Sequence, residues 1–170
     1  MDYGIAIDIG TTTLGAALVA LDEGRVLREA SRLNSGRMFG ADVISRIQAS
    51  NDGSQMMLQD LMRSDLTALL KELVSADVSS YIKYIAIAGN TTMLHLLRGY
   101  SCAGLGTFPY TAVTLSSECL KAKDVLPNAV FLSDETKVLL FPGFTAFVGA
   151  DVAAGVYSLT GTGESRFLLL

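Results

Sequence analysis

A glycine and three threonines follow a short apolar run at Asp8–Thr13, which reads Asp-Ile-Gly-Thr-Thr-Thr. Glycine lets the backbone turn tightly and approach an anion closely. Successive amide N–H groups in such a turn form a concave anion site, to which threonine hydroxyls add donors. This order of residues predicts a phosphate-binding loop made by Gly10, Thr11, Thr12 and Thr13. A plain hairpin turn is the alternative that turn statistics alone would favour.

Two aspartates are candidates for the chemistry at such a loop. Asp8 ends the apolar run, where its carboxylate could orient Mg²⁺ through water, because Mg²⁺ keeps much of its hydration shell. Asp151 stands in a stretch of Gly and Ala, where it could polarise a water or hold Mg²⁺. The alternative for Asp151 is an acid at a helix N-terminus, favoured by the helix dipole. Asp8 and Asp151 are therefore the candidate catalytic residues.

A second anion-binding candidate is the pair Asn90 and Thr91, which follow a predicted strand and open a predicted helix. A helix N-terminus offers unpaired N–H groups to an anion, whereas simple N-capping is the alternative. Asp42 and Arg46 are spaced four residues apart, which is typical of an exposed ion pair on a helix.

Other chemistries find less support in the sequence. The Gly-Lys-Ser/Thr ending of a Walker A loop is absent, and no Ser/His/Asp or Cys/His triad can be assembled. His95 is surrounded by Met and Leu, so a packed histidine is favoured over a catalyst. Cys102 and Cys119 do not form a Cys-x-x-Cys pair, which argues against a zinc or iron–sulfur site in this chain.

The elements that must position these residues follow from the apolar pattern. Short apolar runs bounded by Gly and Pro predict strands, and apolar residues at helical period predict helices. The predicted strands are Tyr3–Ile9, Thr13–Leu21, Val26–Leu33, Tyr84–Ala88, Ala129–Leu132, Lys137–Phe141 and Arg166–Leu170, and the predicted helices are Gly40–Ala49, Ser54–Val74, Thr91–Arg98 and Ala146–Leu159. Ser101–Leu126 is interpreted as loops with one short element. Three antiparallel strands first, then strand–helix crossovers, predict an α/β fold with a mixed sheet and flanking helices.

Composition excludes several classes of function. The chain has 170 residues, of which 50% are hydrophobic and 18% charged, so a packed core is expected. The net charge of −4, without a basic stripe, argues against a nucleic-acid partner. No run of apolar residues is long enough to span a membrane. A cytoplasmic protein with free thiols is the expectation.

Four blocks in this order resemble one known family, namely Asp8–Thr13, Phe39–Ile47, Ala88–Leu97 and Pro142–Asp151. Together they resemble the ATPase domain of the reductive activators of corrinoid proteins, within the actin, heat-shock protein and sugar kinase superfamily. The resemblance runs from Tyr3 to about Leu159 of this chain.

The resemblance implies a ribonuclease-H-like lobe of an actin-like ATPase, with residues 1–159 forming the first lobe and 160–170 starting a second lobe. It implies ATP and Mg²⁺ as cofactors, with Gly10–Thr13, Asn90 and Thr91 binding nucleotide. For Asp42 and Arg46 it keeps a cleft-lining role open as the alternative to an exposed ion pair. It also implies reductive reactivation of a corrinoid iron–sulfur protein, with a [2Fe–2S] cluster only on a separate upstream domain. Two alternatives stay open: a small-molecule kinase of the same superfamily, and a non-catalytic chaperone-like or filament-like module.

The resemblance further implies that one wall of the nucleotide cleft is missing from this chain. ATPase activity is therefore expected of a longer protein and not of these 170 residues. An exposed apolar face is expected where a second lobe would dock, and a homodimer through that face is a further expectation.

Overall fold

Six strands and five helices are found in residues 2–159, which are the residues described by the structure, a computed structural model. The strands are β1 (Tyr3–Ile9), β2 (Thr13–Ala20), β3 (Arg25–Leu33), β4 (Ile82–Gly89), β5 (Glu118–Lys121) and β6 (Lys137–Leu140). The α-helices are α1 (Val43–Ala49), α2 (Gln55–Leu73), α3 (Thr91–Arg98), α4 (Ala122–Val125) and α5 (Ala150–Leu159). Short 3₁₀ turns occupy Ser35–Phe39, Ser79–Tyr81 and Ala103–Leu105.

The strands form one mixed sheet in the order β3-β2-β1-β4-β6-β5. β1, β4 and β6 are parallel, whereas β2 is antiparallel to both of its neighbours and β5 is antiparallel to β6. The carboxyl ends of β1, β4, β6 and β3 therefore meet at one edge of the sheet. This edge, which we call the carboxyl edge, is where open α/β sheets usually bind ligands.

The two faces of the sheet carry side chains of different size. Ile5, Ile7 and Ile9 of β1 are buried on one face, and Ala6 and Asp8 alternate with them onto the other. Helices α2 and α3 cover the isoleucine face with a set of buried apolar side chains, which includes Leu66, Leu69, Leu70, Leu73, Met93 and Leu96. The opposite face is lined largely by alanine and glycine, and α5 contacts it at β4.

Local signals set the helix ends. The Asn90 side chain accepts a backbone N–H of the first turn of α3 at 3.0 Å, and Gly99 ends that helix with φ of 71°. Asp42 caps α1 in the same way at 2.8 Å. Between α1 and α2, Gly53 adopts φ of 100°, which breaks the two helices apart.

The antiparallel meander, the mixed sheet and the long helix α2 confirm the sequence-based predictions. The predicted strand at Ala129–Leu132 is wrong. Its backbone instead forms two successive turns, in which the N–H of Ala129 donates to Leu126 O and the N–H of Leu132 donates to Ala129 O, both at 3.0 Å. Local bonds of this kind leave no N–H groups in register for a sheet ladder.

Three further differences are smaller. α5 begins at Ala150 and not at Ala146, because the hydroxyl of Thr145 accepts the N–H groups of Phe147 and Val148 and holds a turn there. Ser101–Leu126, which was interpreted as loops with one short element, contains both β5 and α4. The predicted strand Arg166–Leu170 and the proposed start of a second lobe lie outside the described residues. Within residues 2–159, no helix combines the length and apolar character that crossing a bilayer requires.

Candidate functional site

The loop between β1 and β2 lies at the carboxyl edge and is closed by its own backbone. The N–H of Gly10 donates to Thr13 O at 3.0 Å. Asn34, which directly follows β3 and is fully buried, holds the loop twice. Its Nδ2 donates to Gly10 O at 2.9 Å, and its backbone N–H donates to Thr12 O at 2.9 Å.

Arg46 of α1 holds the fourth carbonyl of the loop. Its Nη2 donates to Thr11 O, its Nε donates to Gly40 O at 3.1 Å, and its Nη1 lies 3.3 Å from Met93 Sδ. The guanidinium is fully buried, and this burial lowers its pKa, an effect that the charge of Asp42 partly opposes. The predicted exposed pair of Asp42 and Arg46 is therefore wrong. The side chain of Asp42 caps its helix instead, while Arg46 points under the loop.

The carbonyl groups of residues 10–13 are thus all engaged, whereas most of the donors on the same loop other than the N–H of Gly10 are unpaired. Within residues 2–159, no acceptor pairs with the amide N–H of Thr11 or Thr12, nor with the hydroxyls of Thr11, Thr12 and Thr13. A side chain at Gly10 would place its Cβ 2.6 Å from Thr13 O, so only glycine fits there. The loop therefore presents unpaired donors on the side opposite its carbonyl contacts.

Asp8 lies on the alanine face of β1, just before the loop. Its cross-strand neighbours are Gly15 and Ala88, so space is left around the carboxylate. The pKa of Asp8 is raised, chiefly because the protein partly desolvates the group and secondly because the Asp151 carboxylate lies near it. The structure thereby brings together the two predicted catalytic residues, which are 143 positions apart in the sequence (151 − 8).

The start of α3 lies beside the loop, but its side chains are used within the protein. Asn90 caps the helix, as its alternative interpretation predicted, and the Thr91 hydroxyl donates to Thr145 O at 3.0 Å. Gly149 packs against the backbone there, since a Cβ on it would lie 2.7 Å from both Asn90 Cα and Thr91 N. The segment of residues 142–149 therefore covers the start of α3. A nucleotide-binding role for Asn90 and Thr91 stays a prediction.

His95, within α3, is packed, as expected from its apolar neighbours. It is 2% exposed, its Nδ1 lies 2.8 Å from Thr91 O, and its Nε2 accepts the N–H of Val113 at 3.0 Å. Because a carbonyl oxygen only accepts, Nδ1 carries the proton and the ring is neutral. Burial lowers the pKa of His95, while the Thr91 carbonyl and Glu118 act in the opposite direction.

A shallow cavity of about 470 Å³ opens on the alanine face next to Asp8. Small side chains line much of it: Ala6, Ala17, Ala86 and Ala88 from three strands, and Ala154 from α5. Because these side chains end at a methyl group, they leave room on this face beside Asp8. Within residues 2–159, no cluster of three or more His, Cys, Asp and Glu side chains could hold a metal by itself.

A comparison with known protein families identifies the family of this chain. A family model described as the RACo middle region matches residues 3–160, which is most of the chain. The chain belongs to the RACo middle region family. The family resemblance inferred from the four sequence blocks is thereby confirmed.

Two relatives are similar to this chain over nearly its whole length. The "Corrinoid activation enzyme RamQ" of Eubacterium limosum is 30% identical over 174 residues, which cover 98% of this chain and 28% of that protein. A solved structure named "Reductive activator for corrinoid,iron-sulfur protein" superposes with a TM-score of 0.85 at 30% identity, covering 96% of this chain and 26% of that one. The chain spans about a quarter of the length of the relatives it matches. The superposition also confirms the predicted actin-like fold class.

Three residues of this RACo middle region were missed by sequence reasoning: Asn34, Arg46 as a buried group, and Met93. Asn34 could have been found, because a third meander strand returns its carboxyl end to the edge at which the first one ends. Arg46 and Met93 lie 47 positions apart, and their side chains meet only in the folded chain, which periodicity does not reveal.

Proposed function

We propose that this chain is the ATP-binding lobe of an ATPase that drives the reductive reactivation of a corrinoid iron–sulfur protein. One observation carries the nucleotide part: the loop Gly10–Thr13 has its carbonyls held from inside, while the N–H groups of Thr11 and Thr12 are unpaired. The names of the two relatives, one a corrinoid activation enzyme and one a reductive activator, support the corrinoid part.

In this proposal the terminal phosphates of ATP bind at the loop. Backbone N–H groups favour phosphate oxygens because each is a fixed donor that needs no reorganisation when the anion arrives. The hydroxyls of Thr11, Thr12 and Thr13 add donors of the same kind. Asn90 and Thr91 would line the site from the start of α3, beside the loop.

Asp8 and Asp151 fit a magnesium ion that arrives with the nucleotide. Mg²⁺ is usually held by one or two carboxylates together with substrate phosphates and water, and these two side chains supply such a donor set. When bound, Mg²⁺ would neutralise charge on the phosphates. Water would attack the terminal phosphorus, the bond to the bridging oxygen would break, and ADP and phosphate would leave. Asp8 would orient the attacking water through the hydration shell of Mg²⁺, and Asp151 would help to polarise it.

Hydrolysis would be coupled to the corrinoid through movement of the lobe. Differential binding of ATP and ADP can shift an equilibrium between open and closed forms, and so change the grip on a protein partner. The electron itself would come from elsewhere. A [2Fe–2S] cluster takes four cysteines, and this chain has only Cys102, which is buried, and Cys119.

The proposal is tested with the full-length protein, an oxidised corrinoid iron–sulfur protein and a reductant. We expect Mg-ATP to bind by calorimetry, phosphate release to increase when the corrinoid protein is added, and cobalt(I) absorbance to develop only with ATP. For the 170-residue chain alone we expect weak binding and little turnover. Micromolar affinity of the short chain would contradict that expectation.

Two results would overturn the proposal. A full-length protein that binds no Mg-ATP would favour a non-catalytic module, which electron microscopy for filaments would then examine. Transfer of the terminal phosphate to a small molecule, with no response to the corrinoid protein, would favour a kinase.

A further inference from the structure

A fully buried positive charge lies under the loop Gly10–Thr13. The partners of the Arg46 guanidinium are neutral, namely the carbonyl oxygens of Thr11 and Gly40 and the sulfur of Met93. Moving a charged group out of water is costly unless an opposite charge or several good acceptors compensate it. Two carbonyls and a thioether supply acceptors but no negative charge.

No carboxylate in the described residues makes an ion pair with Arg46. The candidate closest in sequence is Asp42, but its two oxygens accept the N–H and the hydroxyl of Ser45 at 2.8 and 2.9 Å, and the side chain is exposed. Other buried polar groups near the loop are paired with each other: Asp65 accepts from Ser35 and lies near Arg32. Arg46 is therefore the one buried charge at this edge without a counter-charge in contact, among residues 2–159.

We propose that Arg46 and Asn34 are positioning residues, which turn the N–H groups of Thr11 and Thr12 toward a bound polyphosphate, and that the buried charge of Arg46 stabilises that anion. This inference rests on the proposed function, since it concerns the same loop. It assigns the specificity for a multiply charged phosphate chain to side chains that do not contact it.

The planarity of the peptide bond supplies the physical link. In a trans peptide the C=O of one residue and the N–H of the next point in opposite directions. Asn34 pulls Gly10 O inward, so the N–H of Thr11 points outward, and Arg46 pulls Thr11 O inward, so the N–H of Thr12 points outward. A charged donor on a carbonyl also polarises the whole peptide group, which makes its N–H a stronger donor.

This arrangement prepares the loop before the ligand arrives. Ordering a loop on binding costs affinity, and a loop that is already held in its bound form avoids that cost. Met93 of α3 lies 3.3 Å from Arg46 Nη1 and 3.8 Å from Asn34 Nδ2, so both side chains are fixed against a buried helix. The positioning groups therefore sit in the core and not on a mobile surface.

The test compares Arg46→Gln, Arg46→Lys and the control Arg37→Gln in the full-length protein. Arg37 is exposed in the neighbouring 3₁₀ turn, so its replacement removes the same charge without touching the loop. Loss of charge-assisted bonds predicts that Arg46→Gln weakens Mg-ATP binding about 10- to 100-fold, whereas Arg37→Gln stays within about twofold. Arg46→Lys keeps the charge but loses the planar set of guanidinium N–H donors, so it should bind Mg-ATP more tightly than Arg46→Gln but less tightly than wild type.

A second measurement separates positioning from a general effect on folding. In wild type, the amide resonances of Thr11 and Thr12 should shift downfield and exchange more slowly when Mg-ATP is added. The amide resonance of Gly24, in the turn between β2 and β3 at the opposite edge of the sheet, should change little. In Arg46→Lys the Thr12 shift should shrink more than the Thr11 shift, because Asn34 still holds the other peptide group. A variant that is merely less stable would move both amides equally.

The outcomes for the inference and for the proposed function differ. If wild type binds no Mg-ATP, the proposed function fails. If wild type binds Mg-ATP but Arg46→Gln binds it within about twofold, or the Thr11 and Thr12 amides do not respond, the nucleotide site stands and the positioning role is wrong.

Discussion

Two segments at the carboxyl edge begin alike and are used differently. Gly10–Thr13 directly follows β1, and Gly89–Thr92 begins at the last residue of β4. Each combines a glycine with threonines at the end of a buried strand. In the first, interior side chains hold the carbonyls and leave donors unpaired. In the second, the side chain of Asn90 caps α3, and the hydroxyl of Thr91 donates to Thr145 O.

A glycine–threonine sequence at a strand end is therefore not enough to identify a phosphate loop. What distinguishes the two segments is whether the donors find partners inside the protein. The first segment can accept an anion without breaking any hydrogen bond, whereas at the second the Thr91 hydroxyl is already bonded and Gly149 covers the backbone. Substitutions in each segment test whether unpaired donors are what distinguishes the two.

The largest effect is expected for Gly10→Ala. The added Cβ would lie 2.6 Å from Thr13 O, so the turn must open and its 3.0 Å hydrogen bond is lost. We expect the free energy of unfolding to fall by about 1–3 kcal/mol and Mg-ATP binding to weaken about tenfold or more. Denaturant unfolding and calorimetry measure the two quantities.

Gly15→Ala is the matched control, because a Cβ there meets no atom within 4 Å. It should be neutral or slightly stabilising, since alanine restricts the unfolded chain. If Gly10→Ala is as stable as Gly15→Ala in denaturant unfolding, the geometry of the loop is not what the hydrogen bonds indicate.

A smaller and opposite pair of effects is expected for Thr12→Val and Thr91→Val. The hydroxyl of Thr12 has no partner in the described residues, so its loss should leave stability within about 0.5 kcal/mol but weaken Mg-ATP binding about 2- to 10-fold. Thr91→Val breaks the bond to Thr145 O and should cost about 0.5–1.5 kcal/mol of stability, with nearly unchanged binding.

The same two experiments decide the role predicted for Thr91 from sequence. If Thr91→Val weakens Mg-ATP binding as much as Thr12→Val does, Thr91 binds nucleotide as predicted, and the two segments act together. In that case the covering of the start of α3 by residues 142–149 must open when nucleotide binds.

Much of this edge was predictable, because its signals are local. The Gly10–Thr13 turn, the Asn90 cap, the Gly99 helix end and the apolar periods of β1 and α2 all lie within a few residues of the feature they determine. The sheet then follows from connection rules, since a meander and two parallel crossovers leave few arrangements. Asp8 and Asp151 were each chosen as candidates from their neighbouring residues, but nothing in their spacing predicted that the fold brings them together.

The residues that were not predictable act through contacts between distant segments. Arg46 has the spacing of an exposed ion pair with Asp42, and only the packing of α1 against the loop shows that it is buried. The turns at Ala129–Leu132 were mistaken for a strand because a short apolar run fits both, and local hydrogen bonds decided the outcome. The period of apolar residues therefore reveals neither burial between distant segments nor local hydrogen bonds that form turns.

The smallest expected effect concerns pH and His95, which lies behind the second segment. The neutral ring donates from Nδ1 to Thr91 O and accepts the Val113 N–H at Nε2, so a second proton would break the latter bond. Its pKa is lowered in the folded protein, whereas an unfolded histidine titrates at about 6.5. As pH falls below that value, the unfolded chain binds more protons than the folded one, so stability must decrease.

The contribution of His95 is therefore complete above about pH 6.5 and is lost as the pH falls toward its lowered folded pKa. Urea unfolding of wild type and His95→Gln at about pH 7.5 and about pH 5.5 measures it. Wild type should lose more stability between the two conditions than the variant, and Asp8, present in both proteins, cancels in the difference. Because the loop Gly10–Thr13 makes no contact with this ring, Mg-ATP affinity at the higher pH should be the same in both proteins. If His95→Gln has the same pH dependence of stability as wild type, the hydrogen bond from Val113 N–H to His95 does not contribute to stability. Altered nucleotide affinity would show that the two segments are coupled and not independent.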